Sequence, residues 1–160
     1  MEISGEYKFN APIEKVWAIL MNPAALKASL PGCEKFEEVE PDTYDITIKV
    51  GVGVIKGTYT GRITIADREE LKHYKLLVNG QGSSGFLNGE GEFDLTSQSP
   101  EETQVNYTGK ANVGGTLAGL GARMLAPVAR KMGNDFFKSM DKQLQAETES
   151  VSSDDSVSQA

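Results

Sequence analysis

The stretch that decides the fold runs from residue 114 to residue 144 and reads GGTLAGLGARMLAPVARKMGNDFFKSMDKQL. Two adjacent glycines open it, and large apolar residues then recur every three or four positions, which is the spacing of one face of an α-helix. We predict a long amphipathic helix over residues 116–144, kinked at Pro127 because an internal proline removes a backbone hydrogen bond. The repeated apolar positions are Leu117, Leu120, Met124, Val128, Met132, Phe136, Met140 and Leu144.

The residues before this helix alternate between apolar and polar side chains, which is typical of half-buried strands. A first strand over residues 3–9 is followed by two helix-start signals, at Pro12 and at Asn22-Pro23. After Pro31-Gly32, short polar turns separate a run of further strands up to Val113. This order predicts an antiparallel meander of about seven strands in all.

A strongly curved antiparallel sheet cannot leave its apolar face in water, and the final helix is the one element long enough to cover it. We therefore predict an α+β helix-grip fold: a curved sheet of about seven strands wrapped around a long C-terminal helix, with two short helices after strand 1. The predicted domain covers residues 1–145. Residues 146–160 are rich in serine and acids, have no basic residue, and predict a disordered tail.

Eight of the 17 glycines fall in register with the apolar face of the predicted sheet. Tight bending of the sheet accounts for each of them equally well when they are taken singly. Together they remove side chains from the interior and predict an elongated apolar pocket between the sheet and the final helix. The residues predicted to line it are Trp17, Leu26, Leu30, Tyr59, Gly61, Phe86, Gly91, Phe93, Tyr107, Leu120, Met124 and Val128.

Composition and charge exclude several function classes. The formal net charge of −7 argues against a general nucleic-acid binder, which needs a basic surface. One cysteine, Cys33, and one histidine, His73, rule out a disulfide framework, a multi-cysteine zinc site and paired-histidine metal motifs. No secretion signal and no membrane-spanning segment are evident, so the expected compartment is the cytoplasm.

Sites for catalysis are weakly indicated. The stretch 80–85 fits the dinucleotide pattern G-x-G-x-x-G, but a strand is predicted after it where the motif requires a helix, which favours a glycine-rich hairpin. Nothing brings Cys33 and His73 together, so an inert cysteine is expected. The acids Glu90, Glu92 and Asp94 alternate with apolar positions and are predicted to face solvent. We expect no catalytic and no metal-binding residue.

Several short motifs resemble the family of the G subunit of carbon monoxide dehydrogenase, within the START/birch-allergen-like (SRPBCC) superfamily. The resemblance covers about residues 1–144. The motifs that carry it are Gly5-Glu6-Tyr7, Ala11-Pro12 with Val16-Trp17, Leu30-Pro31-Gly32-Cys33, Val50-Gly51-Val52-Gly53 with Gly57 and Gly61, Gly80-Gln81-Gly82, Gly89 to Gly91, Gly114-Gly115 through Leu120-Gly121, and Phe136-Phe137.

The resemblance implies a non-catalytic protein that accompanies a molybdenum hydroxylase of the carbon monoxide dehydrogenase type. Its expected ligand is a quinone or another lipid-like molecule, held without a covalent cofactor, and its expected role is membrane recruitment or electron delivery to quinone. Peripheral contact with the inner face of the membrane is a further expectation. Two alternatives stay open: a cyclase or dehydratase of the same superfamily, and a structural assembly factor with a filled core.

The final helix is a second candidate binding surface, because it carries five basic residues and two acidic ones. Such a basic face suits an acidic partner or anionic headgroups. The simpler interpretation is a solvated helix face, on which bases are common near the C-terminus. The bases are Arg123, Arg130, Lys131, Lys138 and Lys142.

Overall fold

The computed structural model describes residues 1–51 and 53–159, and for residues 54 and 148–159 it describes the backbone alone. In this described part, seven strands and three α-helices follow one another, with 3₁₀ turns at Gly53–Ile55 and Gly115–Leu120. The elements are β1 (Glu2–Phe9), α1 (Ile13–Leu20), α2 (Pro23–Ser29), β2 (Cys33–Glu40), β3 (Thr43–Val50), β4 (Gly57–Glu69), β5 (His73–Gly82), β6 (Gly85–Ser99), β7 (Glu102–Gly114) and α3 (Gly121–Gln159).

All the described strands join one curved antiparallel sheet in the order β1-β7-β6-β5-β4-β3-β2. Consecutive strands from β2 to β7 are neighbours, as in a meander, and β1 closes the order by pairing with β7 from Glu2 opposite Lys110 to Phe9 opposite Thr103. The predicted α+β helix-grip fold is confirmed, including the two short helices after the first strand.

The short helices begin where the sequence signals them. Asn22 caps α2, since its side-chain oxygen accepts hydrogen bonds from the backbone N–H groups of Ala24 (2.9 Å) and Ala25 (3.3 Å). Val16 and Leu20 of α1 and Leu26 of α2 are buried in the same core cluster as Phe137 of α3. The two short helices and the middle of α3, from Phe137 to Leu144, therefore cover one end of the sheet.

The final helix differs from its prediction at its start. Residues 115–120 form 3₁₀ turns, and α3 begins at Gly121, whose backbone (φ 71°, ψ 169°) separates the two segments. The prediction of a helix from residue 116 is therefore wrong by five residues. Pro127 lies inside α3. The predicted disordered tail, residues 146–160, falls mostly on residues whose side chains lie outside the described part, and it stays a prediction.

The buried face of α3 also differs from its prediction. Phe137 (2% exposed), Met140 and Leu144 are buried in the core, whereas Phe136 is only partly buried and Met124 is 52% exposed. The apolar repeat predicts that Met124, Val128, Met132 and Phe136 are buried against the sheet. Met124 is instead exposed, and the other three are only partly buried. Met124 lies in the first turn of α3, where its neighbours Leu125 and Ala126 take the inward positions.

Candidate functional site

An apolar cavity of about 250 Å³ lies between the inner face of the sheet and the first half of α3. We call it the apolar cavity. Its walls come from β3 to β7, from both 3₁₀ segments and from one side of α3, and they are almost entirely aliphatic. The lining residues are Met1, Ile46, Ile48, Val50, Ile55, Tyr59, Thr60, Val78, Asn79, Gly80, Leu87, Val113, Leu117, Leu125, Val128, Ala129 and Met132.

The 115–120 segment positions one wall of the apolar cavity. Leu117 is 6% exposed, and its backbone N–H donates a hydrogen bond to the carbonyl of Ser84 at 2.9 Å. Ser84 lies in the two-residue loop between β5 and β6, since Gly82 pairs with Gly85. The predicted glycine-rich hairpin at residues 80–85 is thus confirmed, and its tip is fixed against the 115–120 segment.

Two of the twelve residues predicted from sequence line this cavity, Tyr59 and Val128. Two others point away from the interior: Phe86 is 48% exposed and Met124 is 52% exposed. Neither of these two side chains lines the apolar cavity. Phe86 does not line the cavity because it lies on the outer face of β6. The next residue, Leu87, lies on the inner face and lines the cavity.

Most of the remaining predicted residues pack in a filled core. Trp17 meets Tyr74 edge to face (5.9 Å between ring centroids), Tyr74 stacks on Phe93 (4.7 Å), and Tyr107 lies beside Phe137 (5.5 Å). Leu26 of α2 and Leu30, which follows that helix, belong to the same core. The structure therefore brings these residues together, but away from the lining of the apolar cavity. Leu120 is half-buried at the end of the 115–120 segment, where Leu117 takes the inward position.

The inward glycines mostly make room for side chains and leave little space between them. A Cβ atom at Gly5 would collide with the Tyr107 ring, and one at Gly91 would lie 3.1 Å from the Phe93 ring. At Gly61 a Cβ would collide with the backbone carbonyl of Asn79. Gly80 is the inward glycine that borders the apolar cavity, and a Cβ there would meet no atom closer than 4.0 Å.

Sequence reasoning missed the helix residues that form the cavity wall, namely Leu125, Ala129 and Met132. Their spacing with Val128 is as helical as that of Met124, Val128 and Met132, so periodicity alone left two faces possible. The glycine at position 121 was an available signal for the start of α3, but tertiary packing decides that Leu125 faces inward and Met124 outward.

Ionisable groups are scarce around the apolar cavity. Apart from Tyr59 and the amino group of Met1, no described lining residue carries one. Cys33 lies at the sheet edge, its Sγ contacts the Lys35 carbonyl at 3.2 Å, and burial raises the pKa of its thiol. His73 pairs with Asp94 at 2.8 Å on β5 and β6, with β3 and β4 between it and the strand of Cys33. The two residues do not form a nucleophile and base.

The five bases of α3 are all exposed. Lys131 forms an ion pair with Asp135 at 2.7 Å, one helical turn away. Among the described residues, no three His, Cys, Asp or Glu side chains are grouped to hold a metal ion, and none of the described helices is long and apolar enough to cross a membrane. Docking of a partner or a membrane on the basic side of α3 stays a prediction.

Comparisons with known proteins agree with this architecture. The profile of the CoxG family, named for the G subunit of carbon monoxide dehydrogenase, matches residues 5–145. A conserved protein from Geobacillus kaustophilus is 39% identical in sequence, with a TM-score of 0.89 over 91% of this chain and 96% of that one. A search of proteins with curated functions gives no match.

More distant structures share the fold. A START superfamily protein from Mycobacterium smegmatis has a TM-score of 0.72 at 11% identity, over 91% of this chain and 97% of that one. The Zhui aromatase/cyclase from Streptomyces sp. R1128 has a TM-score of 0.67 at 15% identity, over 92% of this chain and 95% of that one. At such identities the likeness establishes the fold and leaves the chemistry open.

Proposed function

Because the chain belongs to the CoxG family of carbon monoxide dehydrogenase, we propose that it is a non-catalytic binding protein that holds a quinone or another lipid-like molecule in the apolar cavity. The observation that carries the proposal is the cavity itself, whose aliphatic walls lie between the sheet and α3. Apolar walls with very few polar groups favour an apolar ligand, because each buried and unpaired polar group of a ligand lowers its affinity.

The size of the apolar cavity limits how much of a ligand it takes. At about 250 Å³ it lies below the usual range of about 300–1,000 Å³ for ligand pockets. A single or fused ring fits, or a short stretch of an isoprenoid or acyl chain. A long chain then extends beyond the lining residues, which suits a protein that passes its ligand on.

The cavity argues against both alternatives. An enzyme of the cyclase or dehydratase type needs polar groups aimed at the reacting atoms, and Tyr59 is the one described lining side chain that can exchange a proton. A purely structural assembly factor needs no space between the sheet and α3. A carrier accounts for both the space and its apolar walls.

Binding is tested by isothermal titration of the protein with decylubiquinone, beside native mass spectrometry before and after organic extraction. We expect a stoichiometry of one ligand per chain. Ala129→Phe fills the cavity from α3 and is expected to weaken binding by about tenfold or more while the protein still folds. Ala122→Phe is the matched control, since Ala122 is exposed on the same helix and is expected to leave binding unchanged. Equal binding by parent and Ala129→Phe would place the ligand elsewhere.

The family also supplies the proposed partner, a molybdenum hydroxylase of the carbon monoxide dehydrogenase type. In this role the protein recruits the hydroxylase to the membrane or holds the quinone that accepts electrons from the hydroxylase. Mixing the protein with such a hydroxylase from the same genome, followed by size-exclusion chromatography, tests the association. Quinone reduction by the mixture tests the electron transfer. Ala129→Phe should reduce this activity if bound quinone is required and should leave the association with the hydroxylase unchanged.

A further inference from the structure

The side chain of Tyr59 closes one edge of the apolar cavity. Its ring lies against Gly82 of β5, where a Cβ atom would come within 2.8 Å of the ring. Its hydroxyl donates a hydrogen bond to the carbonyl of Ile55 at 2.7 Å. Because Ile55 ends the 53–55 turn, one side chain joins that turn to the β5–β6 hairpin.

Tyr59 also brings the polar chemistry of the cavity walls. Of the described lining residues on the inner face, it alone has a side chain with a hydroxyl, amide or charged group. The side chains of Thr60 and Asn79 are exposed on the outer face, in alternation with their inward neighbours. The amino group of Met1 donates to the carbonyl of Ala111 at 3.0 Å, at the far strand β7.

The hydrogen bond to Ile55 fixes what the Tyr59 hydroxyl can offer to a ligand. A tyrosine hydroxyl has one proton to donate and lone pairs that accept. The proton is engaged by the Ile55 carbonyl, so the lone pairs are what remains. A ligand hydroxyl can donate to the Tyr59 oxygen with the Ile55 bond intact, whereas a ligand carbonyl must first displace Ile55 and leave its oxygen without this donor.

We propose that Tyr59 determines the ligand specificity of the apolar cavity by accepting a hydrogen bond from a ligand hydroxyl. The ligand class is then an apolar alcohol or phenol, the reduced quinol form of a quinone included. Ketones such as the oxidised quinone, ethers and hydrocarbons of the same shape enter the same cavity but bind more weakly. The inference rests on the proposed function, because it requires that the apolar cavity binds ligand.

Three naphthalenes of similar shape test the inference. 2-Naphthol carries a donor, 2-methoxynaphthalene carries only an acceptor, and 2-methylnaphthalene carries neither. We expect the parent protein to bind 2-naphthol roughly three- to tenfold more tightly than the other two, the effect of one net hydrogen bond. In Tyr59→Phe the ring still lies against Gly82, so the three ligands are expected to bind with equal affinity.

Tyr107→Phe is the matched control. Tyr107 also faces the interior but lies beside Phe137, outside the cavity lining, so its loss should preserve the preference for 2-naphthol. A preference that persists in Tyr59→Phe, or a parent that prefers the methoxy compound or binds all three equally, would overturn the inference alone. Failure of all three ligands and of decylubiquinone to bind the parent would overturn the proposed function, and the inference with it.

Discussion

Two adjacent phenylalanines show how strongly one position on a helix changes the role of a residue. Phe137 is 2% exposed and contacts the rings of Tyr7, Phe9, Phe93 and Tyr107, whereas Phe136 is only partly buried. We expect Phe137→Ala to lower the free energy of unfolding by about 3–5 kcal/mol, the usual cost of removing a buried ring. Phe136→Ala is the matched control and should cost clearly less. Urea unfolding of both variants measures the difference, and equal losses would contradict the assigned helix face.

Tyr7 gives the fold a dependence on alkaline pH. Burial, together with its hydrogen bond to Asp141 at 2.9 Å and the negative charge of that carboxylate, raises the pKa of Tyr7 to about 12. The unfolded chain releases this proton near pH 10 and the folded chain retains it to about pH 12, so the stabilisation is complete below pH 10 and is lost as the pH rises through this window.

We therefore expect Tyr7→Phe to lose part of the fall in stability between pH 9 and pH 11, measured by urea unfolding at both values. At pH 7 the same variant should lose about 1 kcal/mol, because the hydrogen bond to Asp141 is absent. Burial also raises the pKa of Tyr74, so Tyr74→Phe should reduce the alkaline fall in stability in the same direction. An unchanged alkaline slope in Tyr7→Phe would show that Tyr7 does not titrate in this way.

At the scale of the elements, the junction between the 115–120 segment and α3 depends on Gly121. Its backbone conformation (φ 71°, ψ 169°) is open to glycine and strained for other residues, although a Cβ there would meet no atom within 4 Å. We expect Gly121→Ala to cost about 1–3 kcal/mol in stability. Gly119→Ala is the control, because a Cβ there also meets no atom within 4 Å but Gly119 has no positive φ. This variant should change stability by less than about 0.5 kcal/mol. Similar losses of stability in both variants would show that the backbone conformation of Gly121 is not the cause.

The pairing of β4 with β5 depends on a different kind of glycine. Gly61 and Gly80 are direct partners, yet a Cβ at Gly61 would collide with the Asn79 carbonyl while one at Gly80 has free space. We expect Gly61→Ala to destabilise the sheet and Gly80→Ala to be tolerated, as measured by thermal unfolding. A larger residue at Gly61 cannot fill the apolar cavity, because its Cβ would collide with the Asn79 carbonyl. A leucine side chain at position 80 has free space and lies at the cavity wall. The opposite ranking of the two alanine variants would contradict this geometry.

In the molecule as a whole, the described core contacts and the hydrogen bond to α2 extend along α3 as far as residue 144. Leu144 is buried, and Gln143 donates to the Ser29 hydroxyl at 2.6 Å, which joins α3 to α2. We expect removal of residues 146–160 to leave the melting temperature nearly unchanged, because few apolar residues there could offset the loss of chain entropy. A fall of many degrees in a calorimetric scan would show that these residues stabilise the body.

The amino-acid sequence was enough to predict the order of the elements, the antiparallel meander, the role of the final helix and the family. These follow from local signals: period-two and period-3.6 patterns, a capping asparagine at Asn22 and turn residues at fixed places. It also indicated a cavity between sheet and helix, and it identified Tyr59 and Val128 as residues of the wall.

Contacts between distant parts of the chain determine which apolar residues fill the core and which border the apolar cavity. Trp17, Phe93 and Tyr107 have the same inward pattern as Tyr59, but rings from several distant strands and helices meet around Phe137 and fill that end. The inward glycines were ambiguous for the same reason, since only the neighbouring strand shows whether a ring covers Gly5 or nothing covers Gly80. Burial depends on what arrives from elsewhere in the chain, and periodicity records only the direction in which a side chain points.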